Sequence, residues 1–366
     1  MVQTPLASRA KSSQINEEGI IGQIRRRFSC TNSQLLVGLG DDAAVVSPRQ
    51  DAGLAKPLNV RSQVLATDIL IEGVHFSLDY MSLSEIGYKA VAVNVSDMAA
   101  MGAECVYALG NLGVPRDADS DDISSLLDGV SEALNEFGAS LIGGDTVRSP
   151  QWLMSFSLIG SIESPPLLRS GAQAGDVIWH SGDIGLSQVG FHQLQAGTAR
   201  ENSLARRAHV RPRPMLELGQ WLSSECLATS CLDLSDSLSQ CLLQLATASN
   251  VGMRIDLADY ALHPELLEFL AELPDKTGTR QGIRIPADMQ GDQEAADYAS
   301  TAEFLLSCAE DYQLLFTADP AVTQRLLGES PIPLRRLGTV VPAAEGLLYC
   351  DERGESHQLS RLGYAH

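Results

Sequence analysis

Apolar and polar positions along the chain switch between a period of two and a period near 3.6, which predicts alternating strands and helices. In the first half, Val64–Ile71, Val106–Val114 and Trp152–Ile162 read as strands, the last with polar/apolar alternation. Ser84–Met101 and Asp122–Phe137 read as helices. A Ser–Glu pair opens the first of these and Gly102 ends it, and Gly138 suits the left-handed residue after the second. In the second half, a strand is expected at Val177–His180 and a helix at Leu186–Gln195, stopped by Gly197. Pro214 suits the first position of a further helix. Cys231–Leu234 is strand-like, Ser237–Ala248 helical, and Tyr312–Thr317 and Leu347–Cys350 are late strands.

Glu163-Ser164-Pro165-Pro166 is the best candidate boundary between domains. It separates an N-terminal domain of residues 17–164 from a C-terminal domain of residues 165–366. A flexible tail is expected at 1–16, and a polar, breaker-rich insertion at 274–300. The mixture predicts an α+β fold of two domains rather than one doubly wound sheet.

The length, 366 residues, is enough for two domains with their own cores. A hydrophobic fraction of 44% and a mean hydropathy of -0.01 describe an ordinary globular chain. The net charge of -20 speaks against nucleic acid and against anionic membrane surfaces, which both recruit Lys and Arg. No apolar run reaches the ~20 residues of a membrane span. The N-terminus has no apolar segment of a secretory signal. The 7 cysteines include no Cys-x-x-Cys pair, so a disulfide framework or structural zinc is not expected, and a cytoplasmic location fits.

Candidate chemistry lies in the aspartates. Gly40-Asp41-Asp42-Ala43, Ala66-Thr67-Asp68, Asn94-Val95-Ser96-Asp97, Gly143-Gly144-Asp145-Thr146 and Asp233-Leu234-Ser235-Asp236 each put Asp beside small or hydroxyl residues at the end of an apolar segment. Taken singly, each reads as a cap or a turn residue. Asp97 resists that reading, because it falls late in an apolar, small-residue helix. Together they suggest convergence on a hard cation, and oxygen ligands without Cys or His suit Mg²⁺. A Walker-type loop is absent, and none of the four lysines follows a Gly-rich turn. Carboxylate-held Mg²⁺ bridging to phosphates would still admit a nucleotide. Gly143-Gly144 would let the backbone approach a phosphate closely, and Arg148 and Arg169 would add charge-assisted contacts. His75 alone reads as structural, and the cysteines read as core.

These motifs resemble the thiamine-monophosphate kinase family. The resemblance is carried by Gly40–Val46, Thr67–Phe76, Tyr88–Ala103, Ile142–Thr146, Leu168–Gly171, Arg211–Pro214 and Asp233–Asp236, in order along nearly the whole chain. It implies a fold shared with aminoimidazole ribonucleotide synthetase, with an N-terminal domain that dimerises through its sheet and a nucleotide cleft near the dimer interface. It implies transfer of the γ-phosphoryl of ATP to thiamine monophosphate, giving thiamine diphosphate and ADP, in a homodimer. By motif position, Asp42, Thr67, Asp68, Asp97, Asp145, Asp233 and Asp236 would hold several Mg²⁺ ions, with Asp97 and Asp145 the residues on which activity most depends. Phe137, Gly144, Arg169 and Ser235 would contact ATP, and His75 and Glu310 would face thiamine monophosphate. The acceptor is an ionised phosphate oxygen, so in-line transfer needs no strong general base.

Four positions depart from the family pattern. Cys308-Ala309 replace two glycines before Glu310-Asp311-Tyr312, Arg361 replaces an aromatic, Leu186 replaces an Asp after Gly185, and Ala66 stands where Ser or Thr is frequent. Two alternatives remain at this level: another ATP-dependent enzyme of the superfamily, or a nucleotide-binding relative without catalysis. Selenophosphate synthetase would need a reactive Cys and Lys in a glycine-rich N-terminal loop, which is lacking. The hydrogenase-maturation relative would end in Cys, whereas this chain ends in His366.

Overall fold

The computed structural model describes residues 17–28, 32–47, 61–258, 260–273, 283–285, 296–298 and 300–362. The expected tail at 1–16, Cys30, Tyr364 and most of 274–300 lie outside the described residues. After α1 (Glu17–Arg27), the first half supplies β1 (Leu35–Val37), β2 (Ala44–Val46), β3 (Ser62–Ile71), β4 (Glu104–Val114), β5 (Ser140–Arg148) and β6 (Leu153–Ile162). They form one six-stranded sheet in the order β1-β2-β3-β6-β4-β5. All pairs are antiparallel except β4 and β5, which are parallel and so require a crossover, here through α3 (Ser120–Glu136).

The other helix of this half, α2 (Leu83–Met101), is buried along almost its whole length. It starts at a capping box, with Ser82 Oγ accepting from Glu85 N and Glu85 accepting from Ser82 N, and it stops at left-handed Gly102. The helix lies between the sheet, α3 and the second half of the molecule. Its backbone comes so close to α3 that a Cβ on Gly129 would lie 1.8 Å from Ser84 O. α2 is therefore a rigid rod that carries its polar side chains into the middle of the protein.

The second half contains β7 (Val177–Ser181), α4 (Leu186–Gln195), α5 (Leu204–Val210), α6 (Leu216–Ser224), β8 (Ser230–Asp233), α7 (Leu238–Ser249), β9 (Gly252–Asp256) and α8 (Pro264–Glu272). It continues with β10 (Ile283–Ile285), β11 (Ala296–Tyr298), α9 (Thr301–Ser307), β12 (Leu314–Ala318), α10 (Thr323–Glu329), β13 (Leu334–Val341), β14 (Leu347–Cys350) and β15 (Ser356–Gln358). Seven strands form a mixed sheet in the order β15-β14-β9-β13-β7-β12-β8. β7, β8 and β12 are buried throughout, which is why they read as apolar runs without alternation. Two mixed sheets with segregated helices make the fold α+β.

Some local expectations change. Pro214 does not open a helix: α6 begins at Leu216 with Met215 as its N-cap. The strand expected from Tyr312 begins at Leu314, because Tyr312 has a φ of 49°. β5 was not legible as a strand, since it is exposed along its entire length and has no buried face to impose alternation. Within 274–300, the described residues include an antiparallel pair, β10 with β11.

Candidate functional site

Three elements bring carboxylates to one point. The last turn of α2 presents Asp97, the end of β8 presents Asp233, and the loop before β2 presents Asp42. One carboxylate oxygen from each lies within 4.8 Å of the others. Ser96 Oγ, one residue before Asp97, donates to Asp233 Oδ2 at 2.6 Å, and Ser235 Oγ donates to Asp233 Oδ1 at 3.1 Å. Arg169 closes the cluster from the segment between the two sheets. Its backbone N–H donates to Asp41 Oδ1 at 2.6 Å, and its guanidinium pairs with Asp42, Nε at 3.1 Å from Oδ1. Asp42 Oδ2 is buried with no hydrogen-bond partner.

The electrostatics follow from burial and like charge. Burial, then Asp233, Asp68 and Asp42, push the Asp97 carboxyl well above its ordinary value, with Arg169 opposing. Burial, then Asp42, push Asp233 up to about 7. Such a set is costly as bare carboxylates and becomes favourable around a cation. The orphaned Asp42 oxygen and the all-oxygen donor set fit a hard divalent ion. The other metal-type cluster among the described residues, Asp351 with Glu355 and His357, has a plainer explanation. Asp351 there accepts from Arg353 N, Glu355 N and His357 Nε2 and so organises the β14–β15 turn.

The remaining expected residues do not all join this cluster. Asp68 sits on the inward face of β3 and acts electrostatically on Asp97. Thr67 points to the opposite face, where its hydroxyl donates to Phe156 O at 3.1 Å, so its side chain does not join the triad. Asp236 is half-buried and accepts from Gln244 Nε2 at 2.9 Å. Asp145 is exposed on β5 opposite Asn111, outside the triad, with its Oδ1 accepting from Thr146 N at 2.8 Å. Gly144 precedes it with a φ of 153°. Phe137 is buried in the N-terminal core at the end of α3, tilted against Tyr88.

A second cluster surrounds Glu310. Glu310 Oε2 is 3.1 Å from Lys89 Nζ and 3.5 Å from His209 Nδ1. Burial opposes ionisation of Glu310, but Lys89, His209 and His75 together hold its carboxyl below the ordinary value. His75 Nδ1 accepts from Ile71 N at 3.1 Å. Asp311 accepts from Gly185 N and Ser187 N at 2.7 and 3.0 Å and so caps α4. The replaced glycines impose no backbone strain. Cys308 has a φ of -65°, and the left-handed positions of this loop are Glu310 and Tyr312. The C-terminal segment beside Arg361 is tied to α7 by Leu362 N donating to Ser239 Oγ at 2.9 Å. Sequence reasoning missed Ser96, Lys89 and His209. Ser96 was adjacent to a recognised Asp, whereas nothing local marks Lys89 or His209.

The two sheets correspond to two matched family models: AIR synthase related protein, N-terminal domain, over residues 40–162, and AIR synthase related protein, C-terminal domain, over residues 173–349. These matches define the class, a two-domain AIR synthase-like protein. The thiamine-monophosphate kinase of Escherichia coli (strain K12) is 33% identical over 359 residues, covering 95% of this chain and 98% of the relative. That of Bacillus subtilis (strain 168) is 34% identical over 242 residues, covering 64% of this chain and 71% of the relative. The crystal structure of thiamine-monophosphate kinase from Stenotrophomonas maltophilia K279a superposes with a TM-score of 0.66 at 29% identity, covering 91% of this chain and 96% of that one. AaThiL complexed with AMPPCP and TMP shares the fold, with a TM-score of 0.75 at 24% identity over 98% of this chain and 100% of that one. The chain belongs to the AIR synthase related family and, within it, to the thiamine-monophosphate kinases.

One prediction arises from the buried acids. Asp233 and Asp311 both titrate near 7 in the folded protein, each mainly through burial, against 3.8 as the ordinary value. The folded state therefore holds protons that the unfolded state has released, and stability falls as pH rises toward 7 and through it. Below about 6.5 this slope is opposed by His180 and His209, which burial pushes down to about 4 and about 3. The net fall should thus be clearest between pH 6.5 and 8. We expect the melting temperature in EDTA to drop across that window and Mg²⁺ to flatten the drop. A profile in EDTA that is level or rising would contradict this account of the buried acids.

Proposed function

We propose that this protein transfers the γ-phosphoryl of ATP directly to the phosphate of thiamine monophosphate, with Mg²⁺ held at the Asp42–Asp97–Asp233 triad. Asp68 lies beside the triad, and Asp145, Asp236 and the Thr67 carbonyl are proposed as outer ligands. When bound, the metal supplies neutralisation of phosphate charge and draws two anions together. The chain's own residues supply the geometry. Arg169, now paired with Asp42, is the guanidinium placed to exchange a carboxylate for a phosphate oxygen. Ser235 keeps Asp233 oriented, Gly144 leaves room for close backbone approach, and Phe137 borders the proposed adenine end. His75 and Glu310 face the acceptor. No buried general base is needed, because the attacking oxygen is already ionised.

The observation that carries this reading is the convergence of the Asp42, Asp97 and Asp233 carboxylates with Arg169 in a chain of this family. The test is direct formation of thiamine diphosphate by purified protein given ATP, Mg²⁺ and thiamine monophosphate. Binding of ATP without product would overturn it in favour of a non-catalytic relative.

We further propose that the protein is a cytoplasmic homodimer. No described helix is long and apolar enough to cross a membrane. The six cysteines among the described residues are free. α2 and α3 cover one face of the first sheet, whereas the other exposes Leu65, Ile69, Tyr107 and Leu109 beside the bare edge strand β5. Such a face and edge are stabilised by a second copy. Light scattering at micromolar concentration should report about twice the 39.2 kDa chain mass. An active monomer would remove the dimer from the proposal.

A further inference from the structure

We propose that Lys89 is a positioning residue for the acceptor: from α2 it holds the Glu310 carboxylate in place so that Glu310, and not the lysine, faces the cationic heterocycle of thiamine monophosphate. The inference rests on the kinase reading above.

Lys89 is fully buried, and buried lysines are rare unless paired. Its Nζ lies 3.1 Å from Glu310 Oε2, and the two side chains are exposed by 0% and 29%. The ion pair therefore turns its negative end outward. The acceptor carries a positively charged thiazolium, so the outward charge is complementary to it.

Other groups near Glu310 do not replace the lysine. His209, from α5, lies 3.5 Å from the same oxygen, but burial disfavours its protonated form. Its Nδ1 also meets Ser187 Oγ at 3.2 Å. His75 acts from the loop after β3, and Tyr80 and the neighbouring Asp311 and Tyr312 complete the titratable surroundings. Glu310 also adopts a left-handed backbone, with a φ of 58°, a conformation costly for a residue with a Cβ. Strain combined with a buried ion pair is poor design for stability alone, because such pairs barely repay their desolvation.

The position of Lys89 on α2 links the two ends of the site. Lys89 and Ser96 are seven residues apart, hence on the same helix face and about 10 Å apart along the axis. Ser96 reaches Asp233 in the triad, and Lys89 reaches Glu310. One rigid helix thus sets the spacing between the phosphoryl-transfer end and the acceptor end.

The test compares Lys89→Met, Glu310→Gln and the double variant under steady-state kinetics. Lys89→Met should raise the KM for thiamine monophosphate roughly tenfold, the scale of a lost charged hydrogen bond, and leave the KM for ATP nearly unchanged. The double variant should match Glu310→Gln alone, because the lysine acts through the glutamate. A merely structural lysine would lower the melting temperature without separating the two KM values. If Lys89→Met does not fold because the Glu310 carboxylate has lost its lysine, the double variant, which removes both charges, carries the comparison. An unchanged KM for thiamine monophosphate in Lys89→Met, or a double variant clearly worse than Glu310→Gln, would overturn the inference. Failure of the wild-type protein to make thiamine diphosphate would instead overturn the kinase reading.

Discussion

Asp97→Asn is expected to lower turnover by roughly a hundredfold or more, a few kcal/mol of lost transition-state stabilisation, while the metal-free protein becomes no less stable. The two effects have one cause. Asp97 is held among Asp233, Asp68 and Asp42 in a buried site, and each of them opposes its ionisation. An amide keeps the shape of the side chain and removes that repulsion, so the melting temperature in EDTA should stay level or rise. The same amide cannot supply the charge that attracts Mg²⁺, so activity should fall even though the fold survives. Asp233→Asn should behave likewise, although its partners Ser96 and Ser235 must then share an amide. Turnover and melting temperature measured on the same preparations decide the matter. Wild-type-like turnover at modest Mg²⁺ would falsify the triad as the metal centre, and a collapse of stability in EDTA would make Asp97 a structural residue.

Gly144→Ala is expected to damage the first domain and the nucleotide end of the site together. A Cβ there would lie 1.7 Å from Gly110 O in the adjacent strand β4, so β4 and β5 would have to separate. Overpacking of this kind costs about 1–3 kcal/mol and occasionally more. The loss should appear as a lower melting temperature, together with a raised KM for ATP if Asp145, the next residue, is the outer ligand proposed above. Gly143→Ala is the control. Its Cβ would meet a side-chain atom, Leu109 Cδ2, at 3.3 Å, which a small movement relieves. If the two variants behave alike, close approach of the two strands is not what position 144 requires.

The departures from the family pattern are interpretable only with the loop in view. Cys308 and Ala309 replace two glycines of the pattern, yet the residues that need left-handed backbone are Glu310 and Tyr312. Cys308 is buried as an apolar residue, its Sγ donating to Phe304 O at 3.2 Å. Leu186 in place of an acid is offset from elsewhere in the chain, since Asp311 binds the free N–H groups at the start of α4. At Ala66, the inward side chain is buried and apolar, and its neighbour Thr67 spends its hydroxyl across the strand on Phe156 O.

Local sequence by itself determined the elements whose apolar faces or end signals are complete within a few residues. α2 was legible from a Ser–Glu start at Ser84 and its Gly102 stop, although its cap lies two residues earlier at Ser82; α4 was legible from its limits, β3 and β4 as apolar segments, and β6 from its alternation. The aspartate motifs were legible too, because Asp beside glycine or serine at the end of an apolar segment opposes local propensity and so points to a compensating partner. β5 was not legible, because an exposed edge strand has no buried face to shape its pattern. Only the tertiary structure decided which aspartates meet. Asp42, Asp97 and Asp233 converge from three distant segments, Thr67 turns its hydroxyl away, and Asp145 lies on a bare edge. Only the tertiary structure brought Lys89 to Glu310, 221 residues further along the chain. Propensity and capping act over one or two helical turns, whereas the meeting of charges across domains depends on how sheets and helices pack, and no short stretch of sequence encodes that packing.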